Sequence, residues 1–548
     1  MTGGDAIVQS LLAQGVDTVF GIPGVQIYEL FDALHRAGDR VRVIGPRHEQ
    51  AAAYMAYGYA RATGRVGVYA VVPGPGVLNS TAAICTAYGT STPIVCLTGQ
   101  VPAAFIGSGK MHLHELPDQL ATLRSLTKWA ARIDHPAEAP ALVAEAFRQA
   151  TSGRKRPVAL EMPWDVFGMR APVDIEATSV AGTGPENPGY PAIQPDPDAI
   201  EAAAGLLKDA RNPMIMVGGG AQDAAREVLE LAEMLQAPVV PHRGGRGVVS
   251  DDHYLGFTVA SGYKRRSQTD VVIGIGTRLE LLWFRWDARP WGASLITIDI
   301  DPLHVTRFSP DVGIVGDAAT ATAALIEAVR RGGCPRPSRA EEFEAVKEQT
   351  RREIQKVQPY MDYLRAIREA LPRDGIFVDE VCQAGFAAIY GFPVYQPRTY
   401  ITCGPEGTLG YGFPTALGVK VAQPDRAVVS IAGDGGFQFG LQELATAAQY
   451  RIGLVMVVFD NQAYGNVLWD QRRTFDGRVI GAELANPDFV ALAESFGVAG
   501  RRVATPAELR DAVEQALENG APALIHVPIE RGSEVSPWEF MNPAYAKG

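Results

Sequence analysis

The stretches "SIAGDGGFQFG" (430–440) and "VVFDNQAYGN" (457–466) each set a polar cluster directly behind an apolar run. Behind a buried strand such a cluster lies at the carboxyl end of a parallel sheet, where open α/β sheets bind their ligands. Gly433, Gly435 and Gly436 let backbone N–H groups approach an anion closely, and the positive end of the following helix faces the same point. Asp434 and Asn461 offer hard oxygen ligands, and the main-chain carbonyl of Ala463 adds a third. Diphosphate oxygens and water would complete an octahedral Mg²⁺. Two tight βα turns carrying solvated Asp and Asn are the plainer explanation, and G-D-G alone does not exclude it. Asp-Asn after 24 intervening residues supplies the matching half, and together the clusters read as a diphosphate–Mg²⁺ site.

Outward from that pair, short β-branched runs alternate with Ala/Leu-rich helical stretches: "VRVIG", "VGVYAVV", "PIVCLTG", "PMIMVGGG", "TDVVIGIG", "LITIDID", "GLVMVVFDN" and "ALIHVPI". This alternation predicts βαβ units and doubly wound parallel sheets with helices on both faces. A chain of 548 residues exceeds one core. The Pro/Gly-rich interval 171–198 reads as a linker, and a second break falls at 330–342. Three α/β domains are expected, at 1–170, 190–335 and 350–535. The outer two share an echo, since "AYGYARATGRVGVYAVVPGPG" and "GYGFPTALGVKVAQPDRAVVSIAGDGG" both run helix, connector, apolar strand, glycine-rich loop.

Composition narrows the function classes. Net charge is −11 with Lys and Arg dispersed, so no basic stripe points to nucleic acid. Cys85, Cys96, Cys334, Cys382 and Cys403 show no C-x-x-C spacing and are odd in number, against a zinc cage or a disulfide framework. The N-terminus lacks a basic, then apolar, leader, and the longest apolar run, "LVMVVF", is too short for a bilayer. A reduced, cytoplasmic setting is expected.

The N-terminal third carries "IGPRHEQAAAYMAYGYARATGR" (44–65), a strand end followed by a helix with Glu49 on its first turn. The helix dipole favours an acid there, which is a sufficient local explanation. The distant diphosphate site supplies another. G-D-G, 24 residues and D-N resemble the signature of thiamine diphosphate enzymes, where the second element is more often N-N. The resemblance covers nearly the whole chain and is greatest to the acetohydroxyacid (acetolactate) synthase group. It includes "GVDTVFGIPGVQIYELFDAL" (15–34), "PGPGVLN" (73–79), "LTGQVP" (97–102), "ITIDIDP" (296–302) and "GTLGYGFPTALG" (407–418).

That resemblance implies that Glu49 contacts N1′ of the cofactor's aminopyrimidine and promotes its imino tautomer, so that the exocyclic nitrogen takes the thiazolium C2 proton. A carboxyl group in apolar surroundings has a raised pKa and suits proton sharing with a weak base. Leu409 falls where the family places a bulky side chain beneath the cofactor, and main-chain groups of Gly407 and Leu409 would meet the pyrimidine. Pro73, Gly74, Asn79, Tyr464 and Gly465 fall on cofactor-binding stretches. A homodimer is implied as the minimal active unit, because different subunits hold the two ends of the cofactor, and a homotetramer is expected. The implied reaction adds the cofactor's ylid to a 2-oxo acid, expels CO₂ and passes the remainder to a second carbonyl. Cleavage of a 1,2-diketone or cyclic dione and simple 2-oxo acid decarboxylation are the alternatives. A non-catalytic cofactor-binding relative is disfavoured by the presence of Glu49, Asp434 and Asn461 together.

Substrate-facing positions depart from the synthases. Val25 replaces a glycine in "GIPGVQ", and Val72 precedes P-G-P-G where benzoylformate decarboxylase has a histidine. "IGSGKMHLHELPDQL" (106–120) puts His112 and His114 where the synthases carry a Phe-Gln pair. Imidazoles titrate near neutrality, so these two are acid–base candidates over the thiazolium, against surface histidines with no role. "GSGK" lacks the Walker spacing. Gln100 is a candidate for the reacting centre or else a satisfied strand-end amide. In "YGNVLWDQRRTFDGRVIG" (464–481), Tyr464, Val467, Leu468 and Gln471 are candidate pocket residues, although core packing explains Val467 and Leu468 equally well. The central "VGGGAQ" (217–222) and "GIGTRLELLWFRW" (274–286) are glycine turns able to hold a nucleotide. The stretches that hold FAD in the synthases have poor counterparts here, so FAD lacks support. The C-terminal "SPWEFMNPAYAKG" has no basic tail for CoA.

Overall fold

The computed structural model describes residues 1–175, 193–286, 292–333 and 336–541. Most of the proposed linker, Cys334 and the end of the C-terminal stretch lie outside them. Each apolar run quoted above falls on a strand, and the strands form three sheets in which every pairing is parallel.

The first sheet contains β1 (Thr18–Gly21), β2 (Arg42–Ile44), β3 (Gly67–Val71), β4 (Ile94–Gln100), β5 (Trp129–Arg132) and β6 (Val158–Pro163), in the order β2-β1-β3-β4-β6-β5. The central sheet contains β7 (Pro213–Val217), β8 (Val239–Pro241), β9 (Val271–Ile275), β10 (Ser294–Asp299) and β11 (Val312–Val315), ordered β11-β10-β9-β7-β8. The third contains β12 (Ile376–Val378), β13 (Tyr400–Ile401), β14 (Val428–Gly433), β15 (Val455–Asp460), β16 (Ala499–Arg502) and β17 (Ala523–Pro528), ordered β13-β12-β14-β15-β17-β16. The first and third orders are the same walk through six strands. The sequence echo is therefore a duplicated topology.

Strand residues alternate between two buried faces, which is why these runs are apolar throughout rather than every second residue. In the first sheet Val68, Ala70, Val95 and Leu97 pack against the helices Gly3–Ala13 and Ala139–Thr151. Tyr69, Val71, Ile94 and Cys96 face the other way, into a core shared with Val378, Val428, Met456 and Val458 of the third sheet. The opposite face of the third sheet, with Val429, Ile431, Val455 and Val457, joins the core of the central sheet.

Between the outer sheets, helix Glu49–Thr63 packs on helix Gly412–Ala422. A Cβ at Gly58 would lie 2.1 Å from the Thr415 carbonyl oxygen, and one at Gly418 2.0 Å from that of Met55. Each glycine meets the carbonyl three positions before its counterpart, so the two equivalent helices of the duplicated units pack reciprocally, backbone on backbone. The small residues of "EQAAAYMAYGYA" (49–60) are what permit this approach. Tyr57 extends the seam by donating its hydroxyl hydrogen to the Thr402 carbonyl at 2.7 Å.

Candidate functional site

At the end of β14 the chain turns into a short helix, Asp434–Phe437, that presents Asp434 beside the end of β15. The Ala463 N–H donates to Asp434 Oδ2 at 3.2 Å and to Asn461 Oδ1 at 3.1 Å, so the two side-chain oxygens converge on one point. Ala463 pairs with Glu483 in an antiparallel bridge, but the bonds of that bridge run from Tyr464 N–H to Ala482 and from Leu484 N–H to Gln462. The N–H and carbonyl of Ala463 consequently face away from Glu483, and the N–H meets Asp434. The side-chain oxygens of Asp434 and Asn461 thus meet at the Ala463 backbone.

A cavity of about 210 Å³ opens over them, walled by Gly433 to Gly436, Leu409, Gln383, Tyr464 and Val467. Two of the cavity's glycines are sterically required, since a Cβ on Gly435 would lie 2.5 Å from the Tyr464 ring and one on Gly465 2.6 Å from Asn461 Nδ2. The Gln383 side-chain oxygen is buried without a hydrogen-bond partner among the described residues. Asn486 Nδ2 donates to both Asp434 (2.6 Å) and Asp460 (2.7 Å), held in that orientation by Gln438, which donates to its Oδ1. Burial, with the Asp460 charge added, pushes the Asp434 carboxyl above the usual carboxylate range. Of the two carboxylates that share this amide donor, Asp434 lines the cavity and Asp460 lies behind it, and a carboxylate at the floor suits a divalent cation.

The second cluster lies around Glu49. His48 caps its helix, accepting the Gln50 N–H at Nδ1, and Asn79 Nδ2 donates to the Glu49 carboxylate at 3.0 Å. His114 sits in the field of Glu49, but burial outweighs that charge and lowers its pKa below the usual 6.5. Gln26, buried at 3% exposure, donates Nε2–H to the Leu113 carbonyl (2.8 Å), which turns its oxygen toward His114 Nδ1 at 3.1 Å. That amide orientation assigns the proton to Nδ1 and leaves Nε2 as an acceptor. Gly74 backs the same loop: with φ of +61°, a Cβ there would lie 2.5 Å from the His114 carbonyl oxygen. Pro73, Gly74, Asn79, Glu49 and His114 thus form one neighbourhood, and none of them lines the Asp434 cavity.

Other candidates lie elsewhere. Gln100 is buried in a network in which its oxygen accepts the Val101 N–H (2.8 Å) and its Nε2 faces Glu161, which is paired with Arg132. His112 stacks on Phe105 at 4.0 Å, and its Nε2 has no partner among the described residues. Gly407 has φ of +60°, and Leu409 after it reaches the Asp434 cavity. Leu468 packs with Ala463 and Ala482 as core, while Val467 is 48% exposed and faces the cavity. Gln471 braces the Ile480 backbone with both ends of its amide.

The central glycine turns lock together, Gly220 N–H donating to Gly276 O at 3.0 Å. They line a cavity of about 220 Å³ closed by Arg61 and Arg154 of the first unit and Arg398 of the third. Sequence reasoning did not single out Gln26, Gln383 or Asn486. Gln26 adjoins the "GIPG" turn and was within reach, whereas Asn486 has no spacing signal.

Residues 1–122 match the N-terminal TPP binding domain of thiamine pyrophosphate enzymes, 200–325 their central domain and 379–527 their C-terminal TPP binding domain. The chain is 34% identical to a probable acetolactate synthase large subunit of Methanocaldococcus jannaschii, over 97% of this chain and 92% of that protein. It is 33% identical to the acetolactate synthase isozyme 3 large subunit of Escherichia coli, over 98% and 97%. A probable 2-ketoarginine decarboxylase of Pseudomonas aeruginosa is 35% identical over 95% and 92%. Duplicated outer sheets, paired polar clusters and full-length similarity lead to one conclusion: the chain belongs to the thiamine pyrophosphate enzyme family, as an acetolactate synthase-like, thiamine diphosphate-dependent enzyme acting on carbon–carbon bonds.

Proposed function

We propose that this enzyme decarboxylates a 2-oxo acid and transfers the remainder to a second carbonyl, using Mg²⁺ with thiamine diphosphate. The convergence of Asp434, Asn461 and Ala463 at the floor of a glycine-walled cavity carries this reading. Those three residues would hold the metal, with Gly433, Gly435, Gly436, Gln383 and Gly465 around the diphosphate and Leu409 beneath the cofactor. When bound, thiamine diphosphate supplies the carbon nucleophile and the electron sink. The chain's own contribution is to orient it and to move protons. Glu49, steadied by Asn79, is the proton-sharing partner of the pyrimidine. Nε2 of His114 is free to accept a proton near the substrate and return it.

Because Glu49, Asn79 and His114 stand outside the Asp434 cavity, a homodimer in which each cofactor bridges two chains is the minimal active unit. A homotetramer in the cytoplasm is the assembly expected. Among the described residues no helix is long and apolar enough to cross a membrane.

A second reading keeps the cofactor and omits the acceptor, giving a decarboxylase or a diketone-cleaving enzyme. His114 favours it, since a base over the reacting centre can deliver a proton or activate water. The 2-ketoarginine decarboxylase similarity supports decarboxylation. Incubation with Mg²⁺, thiamine diphosphate and a panel of 2-oxo acids and diketones, with CO₂ release and product mass measured, separates the readings. Branched hydroxy-oxo acids are expected. Aldehydes alone would establish the decarboxylase, and no turnover on any 2-oxo acid would refute both decarboxylating readings.

A further inference from the structure

Glu443 is completely buried and makes no ion pair among the described residues; the Arg47 charge is felt only at a distance. It belongs to the third unit, in the turn Leu441–Glu443 ahead of helix Leu444–Tyr450. Across the boundary, in the first unit, the Arg47 N–H lies 3.0 Å from both carboxylate oxygens. Thr446 Oγ1 donates to it at 2.6 Å. The Arg47 guanidinium points away, to the Gly45 carbonyl and to Gln449. Tyr450 adds a second clasp, its hydroxyl oxygen accepting the Gly45 N–H at 2.9 Å. A buried carboxylate that is paired with backbone donors rather than a cation is costly, and its burial raises its pKa. Joining the two units does not require that cost, because the reciprocal Gly58/Gly418 contact already joins them.

What Glu443 and Tyr450 hold is the loop 45–48, which ends where the Glu49 helix begins. We propose that Glu443 is a positioning residue for Glu49: from the third unit it fixes the backbone of residues 45–48, and with it the point from which the Glu49 carboxyl reaches the cofactor's pyrimidine. The inference rests on the reading of Glu49 given above. Among the described residues the Glu49 side chain has one hydrogen bond, from Asn79, so its place is set mainly by where its backbone enters the helix. Misplacing a catalytic group by about 1 Å costs on the order of 10²-fold in rate.

The test uses the full-length protein loaded with Mg²⁺ and thiamine diphosphate. Deuterium exchange at C2 of the bound cofactor is followed by acid quench and NMR, and cofactor affinity by quenching of intrinsic fluorescence. Glu443→Gln keeps the volume but puts an NH₂ group against backbone donors. It is expected to slow exchange at least ~10-fold per bound cofactor while affinity changes less than ~3-fold. Tyr450→Phe, a milder change that keeps the fold, is expected to slow exchange ~3-fold. A merely structural Glu443 would lower thermal stability and leave exchange per bound cofactor unmoved. Parental exchange in Glu443→Gln or, should that variant not fold, in Tyr450→Phe, beside a slow Glu49→Gln control, overturns this inference alone. Parental exchange in Glu49→Gln overturns the reading of Glu49 together with it.

Discussion

Replacing Gly58 by Ala sets two effects of known size against each other. In an exposed helix the change stabilises, because Ala exceeds Gly in helix propensity by about 1 kcal/mol. Gly58 is interior to helix Glu49–Thr63, and its φ is not in the left-handed region, so the full propensity gain applies. The new methyl group, however, would sit 2.1 Å from the Thr415 carbonyl oxygen and 3.0 Å from its carbon, over a backbone that has no rotamer with which to yield. Ordinary contact requires the helices to part by about 1 Å, which loosens every neighbouring contact along the seam. Overpacking of a close-packed interior costs about 1–3 kcal/mol, and a backbone-to-backbone overlap belongs at the upper end. The net expectation is a loss of about 2 kcal/mol, read as a lower urea midpoint at unchanged slope. Because the helix begins at Glu49, C2 exchange should slow as well. Gly418→Ala, 2.0 Å from the Met55 carbonyl oxygen, should behave alike. A midpoint that rises on Gly58→Ala would refute the reciprocal packing.

Two further outcomes follow from named groups. His114→Ala should lower turnover by about 10²-fold or more at unchanged cofactor affinity. In the parent, the acid limb of the rate profile should lie below pH 6.5, since burial keeps the imidazole neutral to lower pH; a parental rate in the variant removes the histidine from the mechanism. Glu380 is fully buried, and burial pushes its carboxyl up to about 8 against hydrogen bonds from the Val381 and Gly412 N–H groups. Between about pH 4.5 and 8 the folded chain holds a proton that the unfolded chain has lost, so stability falls as pH rises through that window, by a few kcal/mol. Glu380→Gln should flatten the pH dependence of the urea midpoint between pH 5 and 8, and an undiminished slope would contradict the assignment.

The fold was legible because two-sided burial writes itself as uninterrupted apolar runs such as "AVVSIAG" and "LVMVVF", and turn glycines punctuate them. Strands with weaker patterns escaped notice: β16 (Ala499–Arg502) is largely exposed at the sheet edge and carries two arginines. That Asp434, Asn461 and Ala463 stand near one another was legible because the adjoining ends of two paired strands fix all three locally. Groups that act across long separations left no local mark. Gln26 meets His114 88 residues away, and Glu443 meets Arg47 396 residues away. Their pairing is decided by how units dock, which neither period nor spacing encodes. Leu468 and Val467 show the same limit on a smaller scale. Both are apolar and adjacent on one helix, and only tertiary packing sends the first into the core and leaves the second at the cavity.

Asp460 stands where the family more often has asparagine, and the structure accounts for this departure without disturbing the site. Its Oδ2 accepts from His526 Nε2 at 3.0 Å, and its Oδ1 takes the Gln462 N–H at 3.1 Å and Asn486 Nδ2 at 2.7 Å. Arg502 Nε in turn donates to His526 Nδ1 at 3.3 Å, so the buried carboxylate ends a chain of donors that leads to a cation at the edge of the sheet. With both oxygens engaged, Asp460 turns away from the cavity, which it does not line, and Asn461 is the residue of the pair that faces it. The first position of the motif is thus free to change from amide to acid provided a donor chain comes with it. The second is constrained by the point where Asp434 and Ala463 already converge.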